Sequence, residues 1–182
     1  MEAVLAAKKQ GKVRYIGFTG HKDPLVHPRM LEVAKEHDFH FDAVQMPINV
    51  ADAHFRSFAA QVLPVLVQEK IAPLAMKTFG DSHVLNTSSR SASPRLKCCT
   101  FPSNLPVSVV ITGIEKQEIL DQASEAVRIY KPLDGQAIAA LLDKTRVPGS
   151  KGVAEHYKTT WDYDGTTQNP HWLGLKANVP AG

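Results

Sequence analysis

The chain has 182 residues, of which 43% are hydrophobic, enough apolar material for a folded core and too much for a disordered chain. Its 21 basic and 18 acidic residues leave a formal charge of +3 with no long run of either sign, which with the lack of a recognisable binding motif argues against a nucleic-acid role. No apolar run approaches the ~20 residues a membrane-spanning helix needs and no signal-peptide pattern opens the sequence, so a cytoplasmic protein without a membrane segment is expected.

Residues 1–10 predict a helix with Val4, Leu5 and Ala6 on an apolar face and lysines in its last turn, where positive charge complements the helix dipole. Gly11 ends it, as a residue tolerant of left-handed φ should. Residues 13–18 form an apolar run with β-branched and aromatic members that breaks into Thr19-Gly20-His21. It reads as a buried strand with a ligand-facing C-terminal end.

Three further strand candidates follow at 43–47, 71–76 and 107–112, their starts about thirty residues apart, the size of a βα unit with its return helix. Residues 29–37, with Met30, Leu31, Val33 and Ala34, fill the first interval as a helix. In the second, Phe55, Phe58, Ala59, Val62 and Leu66 recur at helical spacing, and Pro64 predicts a kink or a fresh helix start. The third, residues 81–104, contains a serine-rich run at 86–94 that reads as a loop followed by a short or damaged helix. Asn86-Thr87-Ser88 fits a glycosylation sequon, read as coincidence in the absence of a signal peptide.

Beyond the fourth strand, Ile119, Leu120, Ala123, Val127 and Tyr130 predict an amphipathic helix, and Asp134 caps another with Ile138, Leu141 and Leu142 on its apolar face. Residues 1–146 are therefore assigned to one α/β body, and 147–182 to a tail packed on it through Tyr157, Trp161, Tyr163 and Trp172. Parallel strands joined by right-handed crossovers follow from this order, giving half of an eight-stranded barrel or a small open sheet with exposed edges.

Other constellations carry less. Adjacent Cys98 and Cys99 fit neither a disulfide framework nor a zinc ligand set and read as ordinary thiols. His21 with His27, and His37 with His40, are close enough in sequence to suggest a metal, but satisfied or exposed histidines are the simpler reading. No nucleophile elbow supports Ser-His-Asp catalysis. Gln45, a polar residue in an apolar strand, needs a partner that either a ligand or a neighbouring backbone group could supply.

Five ordered segments, at 11–21 (Gly-Lys-Val-Arg-Tyr-Ile-Gly-Phe-Thr-Gly-His), 41–49, 71–80, 105–113 and 158–174, resemble the aldo/keto reductases, in particular their bacterial-type members. In that family the first segment belongs to the fifth barrel strand. The resemblance thus implies a partial (β/α)8 TIM barrel, strands 5 to 8 with their helices and a C-terminal tail, and an oxidoreductase passing hydride between NADP (or NAD) and a small-molecule carbonyl substrate. It also implies that the catalytic aspartate, tyrosine, lysine and histidine lie in a half that has no counterpart here, so no catalytic residue is assigned and the isolated chain is expected to be inactive. An alternative is a non-catalytic half-barrel module that self-associates, a homo-oligomer closing the barrel with or without nucleotide bound.

The same resemblance implies a cofactor cradle. Thr19, Gly20 and Gln45 correspond to the residues that hold the nicotinamide carboxamide, and Met76 takes the position where relatives stack an aromatic ring on the nicotinamide. A polarizable thioether can cover the same face, and a barrel-core methionine is the competing reading. Lys77, Thr78 and Gly80 follow the strand whose loop wraps the pyrophosphate. Gly113 and Lys116 lie at the phosphate-binding turn after the last strand, with Lys116 at a 2'-phosphate contact, and Gln122 falls near the adenine. Glu115 stands where relatives carry a base, which leaves NADP against NAD open. Residues 95–102 depart from the family's helix and read as a degraded or frame-altered segment.

Overall fold

In the computed structural model, residues 1–79 and 100–160 are described. Their strands, β1 (Gly17–Thr19), β2 (Ala43–Pro47), β3 (Ala72–Met76) and β4 (Val109–Val110), form one sheet in the order β1-β2-β3-β4, every pair parallel. The helices are α1 (Glu2–Lys9), α2 (Val26–Glu36), α3 (Phe58–Gln61), α4 (Leu63–Gln68), α5 (Gln117–Arg128), α6 (Gly135–Gly149) and α7 (His156–Thr159). Consecutive strands lie side by side, as repeated βα units with right-handed crossovers require. The serine-rich run, Gly80, both cysteines, Trp161, Tyr163 and Trp172 lie outside the described residues.

Strand alternation decides which side chains are covered. Val44, Met46 and Ala75 are fully buried and join Leu31, Ala34, Phe58, Val62, Leu63 and Leu66 of α2 to α4 in the core. The opposite face carries Thr19, Gln45, Leu74 and Val109, which the register aligns in one row across the four strands. Each of these four is only half-buried or exposed. One face of the sheet is thus sealed by helices and, among the described residues, the other is open.

Several sequence expectations hold in detail. Gly11 follows α1 with φ +72°, Pro64 sits in the first turn of a separate α4, and the Asp134 carboxylate accepts from Ala137 N at 2.7 Å to cap α6. Other expectations need correction. The first strand is shorter than 13–18: Val13 and Tyr15 are exposed, Tyr15 by 71%, and only Ile16 is buried. Among the described residues β1 is an edge strand with a single partner, so no second strand covers those side chains. Nor does α1 bury its apolar face; it is tied down by Lys8 Nζ to Asp42 Oδ2 at 2.8 Å, and Asp42 also accepts from Ile16 N at 2.8 Å. Those two bonds, Lys8 first, hold the Asp42 carboxyl below its ordinary pKa. In α5 the buried residue is Ala126, while Leu120 and Val127 of the expected stripe are exposed. The last strand contracts from 107–112 to Val109–Val110, the other edge of the sheet.

Candidate functional site

The C-terminal ends of β1, β2 and β3 bring several expected site residues together. Thr19 is registered with Gln45, and Gly20 N donates to Gln45 O at 3.4 Å, continuing the ladder one residue past β1. Gln45 Nε2 donates to Met76 Sδ at 3.1 Å on the open face. Among the described residues this is the one hydrogen bond the Gln45 side chain makes, and a thioether is a weak acceptor. The carboxamide of Gln45 can therefore exchange sulfur for a stronger ligand acceptor and still offer its own oxygen. That is the donor and acceptor pair a ligand amide requires.

Gly20 is glycine for a steric reason: a Cβ there would stand 2.8 Å from Cε1 of His27. His27, in the first turn of α2, is 1% exposed and lies between the rings of Phe18 and Phe58, with centroids at 5.3 and 5.1 Å. Neither ring nitrogen has a hydrogen-bond partner of good geometry. Burial lowers its pKa to about 4, with the nearby carbonyls of Gln45 and Asp23 pulling weakly the other way. The imidazole is neutral at physiological pH and packs as a ring beneath Thr19-Gly20, buried and unpartnered rather than satisfied or exposed.

Lys77 and Thr78 follow Met76 directly. Lys77 adopts φ +53°, the left-handed region, and Thr78 is 2% exposed. Lys77 Nζ stands over the Tyr157 ring at 4.6 Å. Gly113 is exposed, with nothing within 4 Å of where a Cβ would be, so a ligand has room against its backbone. Lys116 is the N-cap of α5 and gives it no side-chain cap; Ile114, Glu115, Lys116, Gln117 and Leu120 line a shallow cleft of about 230 Å³. First-turn amides favour an anion there, whereas Glu115 on the rim and Glu118 in the first turn oppose one. Gln122 lies exposed on α5.

One constellation escaped the sequence reading. Asn49, 1% exposed just beyond β2, uses its whole amide: Nδ2 donates to Lys77 O (3.2 Å), Glu155 Oε1 (3.1 Å) and contacts Tyr157 Oη (3.1 Å), while Oδ1 accepts from Ala51 N (2.8 Å) and Asp52 N (3.0 Å). The Tyr157 hydroxyl in turn donates to Glu155 Oε1. Lys158 Nζ donates to Asp52 Oδ1 at 2.7 Å and to Phe55 O at 2.9 Å, and pairs with Glu155 Oε2 at 2.7 Å without hydrogen-bond geometry, all three side chains wholly buried. Burial raises the Glu155 pKa despite Lys158, and burial with the Glu155 charge raises that of Tyr157. Asp52 also accepts from Ser57 Oγ and from the amides of Phe58 and Ala59, fixing the start of α3. Partners 106 residues apart leave no local sequence signal; an i, i+3 glutamate–lysine pair such as Glu155 and Lys158 ordinarily sits on a solvated helix face.

A four-stranded parallel sheet with its helices on one face is the arrangement of part of a β/α barrel, with polar groups at the strand ends where such barrels bind ligands. Solved structures agree on which barrel. The fold is aldo-keto reductase-like: the chain is similar to aldo-keto reductase AKR11C1 from Bacillus halodurans in its holo form, with TM-score 0.59 and 12% identity over 83% of this chain and 55% of that one. The apo form of that protein gives TM-score 0.58 at 12% identity, covering 83% of this chain and 56% of that chain. The thermostable aldo-keto reductase Tm1743, solved with the inhibitor epalrestat, gives 0.53 at 16% identity, over 79% and 53%. The chain thus spans about half the length of the solved structures it matches. No family model and no curated protein matches the sequence. Among the described residues no helix is long and apolar enough to cross a membrane.

Proposed function

We propose that these residues form the dinucleotide-binding side of an NAD(P)H-dependent oxidoreductase that transfers hydride between nicotinamide and a small-molecule carbonyl or alcohol. The observation that carries this reading is the Gln45 carboxamide, held on the open face beside Met76 and in register with Thr19. In the proposed complex Thr19, Gly20 and Gln45 hold the nicotinamide amide and Met76 lies against the ring. Lys77, Thr78 and Gly80 follow the pyrophosphate, Gly113 and Lys116 take the ribose phosphate end, and Gln122 the adenine. The nicotinamide supplies the hydride; this chain's residues orient it and shield one face. No residue of the 182 is assigned as proton donor, and the small-molecule carbonyl meets its acid from a complementary half-barrel.

The test is titration of the 182-residue chain with NADPH and NADH, followed by quenching of protein fluorescence. Saturable binding of either supports the reading, and its absence for both removes it. Carbonyl-dependent NADPH oxidation by the same chain would overturn the assignment of chemistry to the other half.

A second reading rests on the two sheet edges. Among the described residues β1 and β4 are edge strands with one partner each, and a two-fold axis along the barrel would pair β4 of each copy with β1 of the other, completing eight parallel strands. Light scattering decides it: a dimer supports closure by self-association, and a monomer at all concentrations excludes it.

A further inference from the structure

The residue that most needs explaining at the end of β3 is Lys77. It is one of five described non-glycine residues with positive φ, at +53°, a conformation that costs an L-residue roughly 1–2 kcal/mol. Contacts from neighbouring elements act on this turn. Ile48 N donates to Met76 O at 3.1 Å, Asn49 Nδ2 donates to Lys77 O at 3.2 Å, and the Lys77 ammonium rests over Tyr157. Asn49 bears on the last two, donating to the Lys77 carbonyl and, with Glu155, meeting the Tyr157 hydroxyl whose ring lies beneath that ammonium. The same amide is itself immobile: its oxygen is held by the amides of Ala51 and Asp52, and Asp52 is locked by Lys158.

We propose that Asn49 is a positioning residue for the dinucleotide: its amide holds the Lys77 peptide left-handed, so that the chain turns off β3 with Met76 against Gln45 and residues 77 and 78 beside the nucleotide. The proposal rests on the dinucleotide reading above and adds to it a residue that touches no cofactor. Asn49 supplies the one side-chain donor placed on the Lys77 carbonyl among the described residues. An aspartate would accept where donation is needed and would set a second charge beside Glu155.

The mechanism makes two substitutions of one lysine differ. Lys77→Ala and Lys77→Gly both remove the ammonium, but glycine adopts positive φ at no steric cost and alanine does not. NADPH affinity of the full 182-residue chain is the readout, with thermal melting recorded alongside. Lys77→Gly is expected to bind about fivefold more tightly than Lys77→Ala. Asn49→Ala is expected to weaken binding about fivefold in the Lys77 background and less than about twofold in the Lys77→Gly background, where the amide has nothing left to enforce. Equal affinities for the two Lys77 variants, or an equal loss from Asn49→Ala in both backgrounds, would overturn the proposal while leaving dinucleotide binding intact. Should Asn49→Ala fail to fold, Asn49→Ser takes its place in both Lys77 backgrounds and is read by the same criterion. Absence of NADPH binding by the unsubstituted chain removes the functional reading, and this inference with it.

Discussion

Gln45 and Met76 meet diagonally across neighbouring strands, the amide nitrogen 3.1 Å from the sulfur. Gln45 is registered with Leu74, two residues before Met76, so both side chains rise from the same open face. A strong donor resting on a weak acceptor is a contact a ligand can replace at small cost. Gln45→Leu should therefore keep the fold and weaken NADPH binding about tenfold, the loss of one to two hydrogen bonds. Fluorescence titration beside a thermal melt separates the two effects; unchanged affinity would detach Gln45 from the cofactor.

The neutral, buried His27 makes stability depend on pH. Its folded pKa of about 4 lies below the ordinary 6.5, so the unfolded chain binds the extra proton first as pH falls. The contribution is intact above pH 6.5 and is lost progressively down to about pH 4, amounting to about 3 kcal/mol. Glu155 works in the opposite sense: its raised pKa favours folding at lower pH and costs stability as pH rises through its titration. Asp42, with a lowered pKa, loses its contribution only at still lower pH. Urea denaturation of His27→Leu against the unsubstituted chain isolates the histidine, since the other two are common to both. The difference between them should shift in favour of His27→Leu between pH 6.5 and 4.

Lys158 is enclosed by Asp52 and Glu155 with no exposed side-chain surface on any of the three. Lys158→Met leaves two carboxylates buried without a cation, and denaturation should show a loss of about 3 to 5 kcal/mol. Adding Asp52→Asn and Glu155→Gln to the same chain should recover part of it, because the expensive element is the stranded charge. A Lys158→Met chain as stable as the original would mean water reaches the cluster.

Asp134→Ala removes the carboxylate that accepts from Ala137 N at 2.7 Å. A loss of about 1 kcal/mol is expected for an exposed N-cap, read by urea denaturation, with NADPH affinity unchanged.

Legibility differed with the range of the signal. β2, bounded at Ala43–Pro47 as expected, is central and covered on one face, so its apolar pattern and its boundaries coincide. The edge strands β1 and β4 came out shorter, because apolar residues such as Tyr15 and Val109 have no neighbour to bury them within the described residues. Pro64 and Asp134 were readable because backbone chemistry at a helix start is local. Of the residues named from the sequence, Thr19, Gln45 and Met76 lie together at the strand ends. Asn49, Asp52, Glu155 and Lys158 were not named, since each looks ordinary until the fold brings residues 49–59 against 155–158.

That last juxtaposition sets an order of events. Asn49 and Asp52 are bonded to Glu155 and Lys158, each pair 106 residues apart. On a chain made from its N-terminus, the turn after β2 emerges about a hundred residues before the groups that complete it. Until then the Asn49 amide can reach only its neighbours, water and, once β3 has emerged, the Lys77 carbonyl, and the Asp52 carboxylate only its neighbours and water. The sheet can assemble early from its short-range units, but the C-terminal end of β2 is finished last, when the segment carrying Glu155, Tyr157 and Lys158 docks.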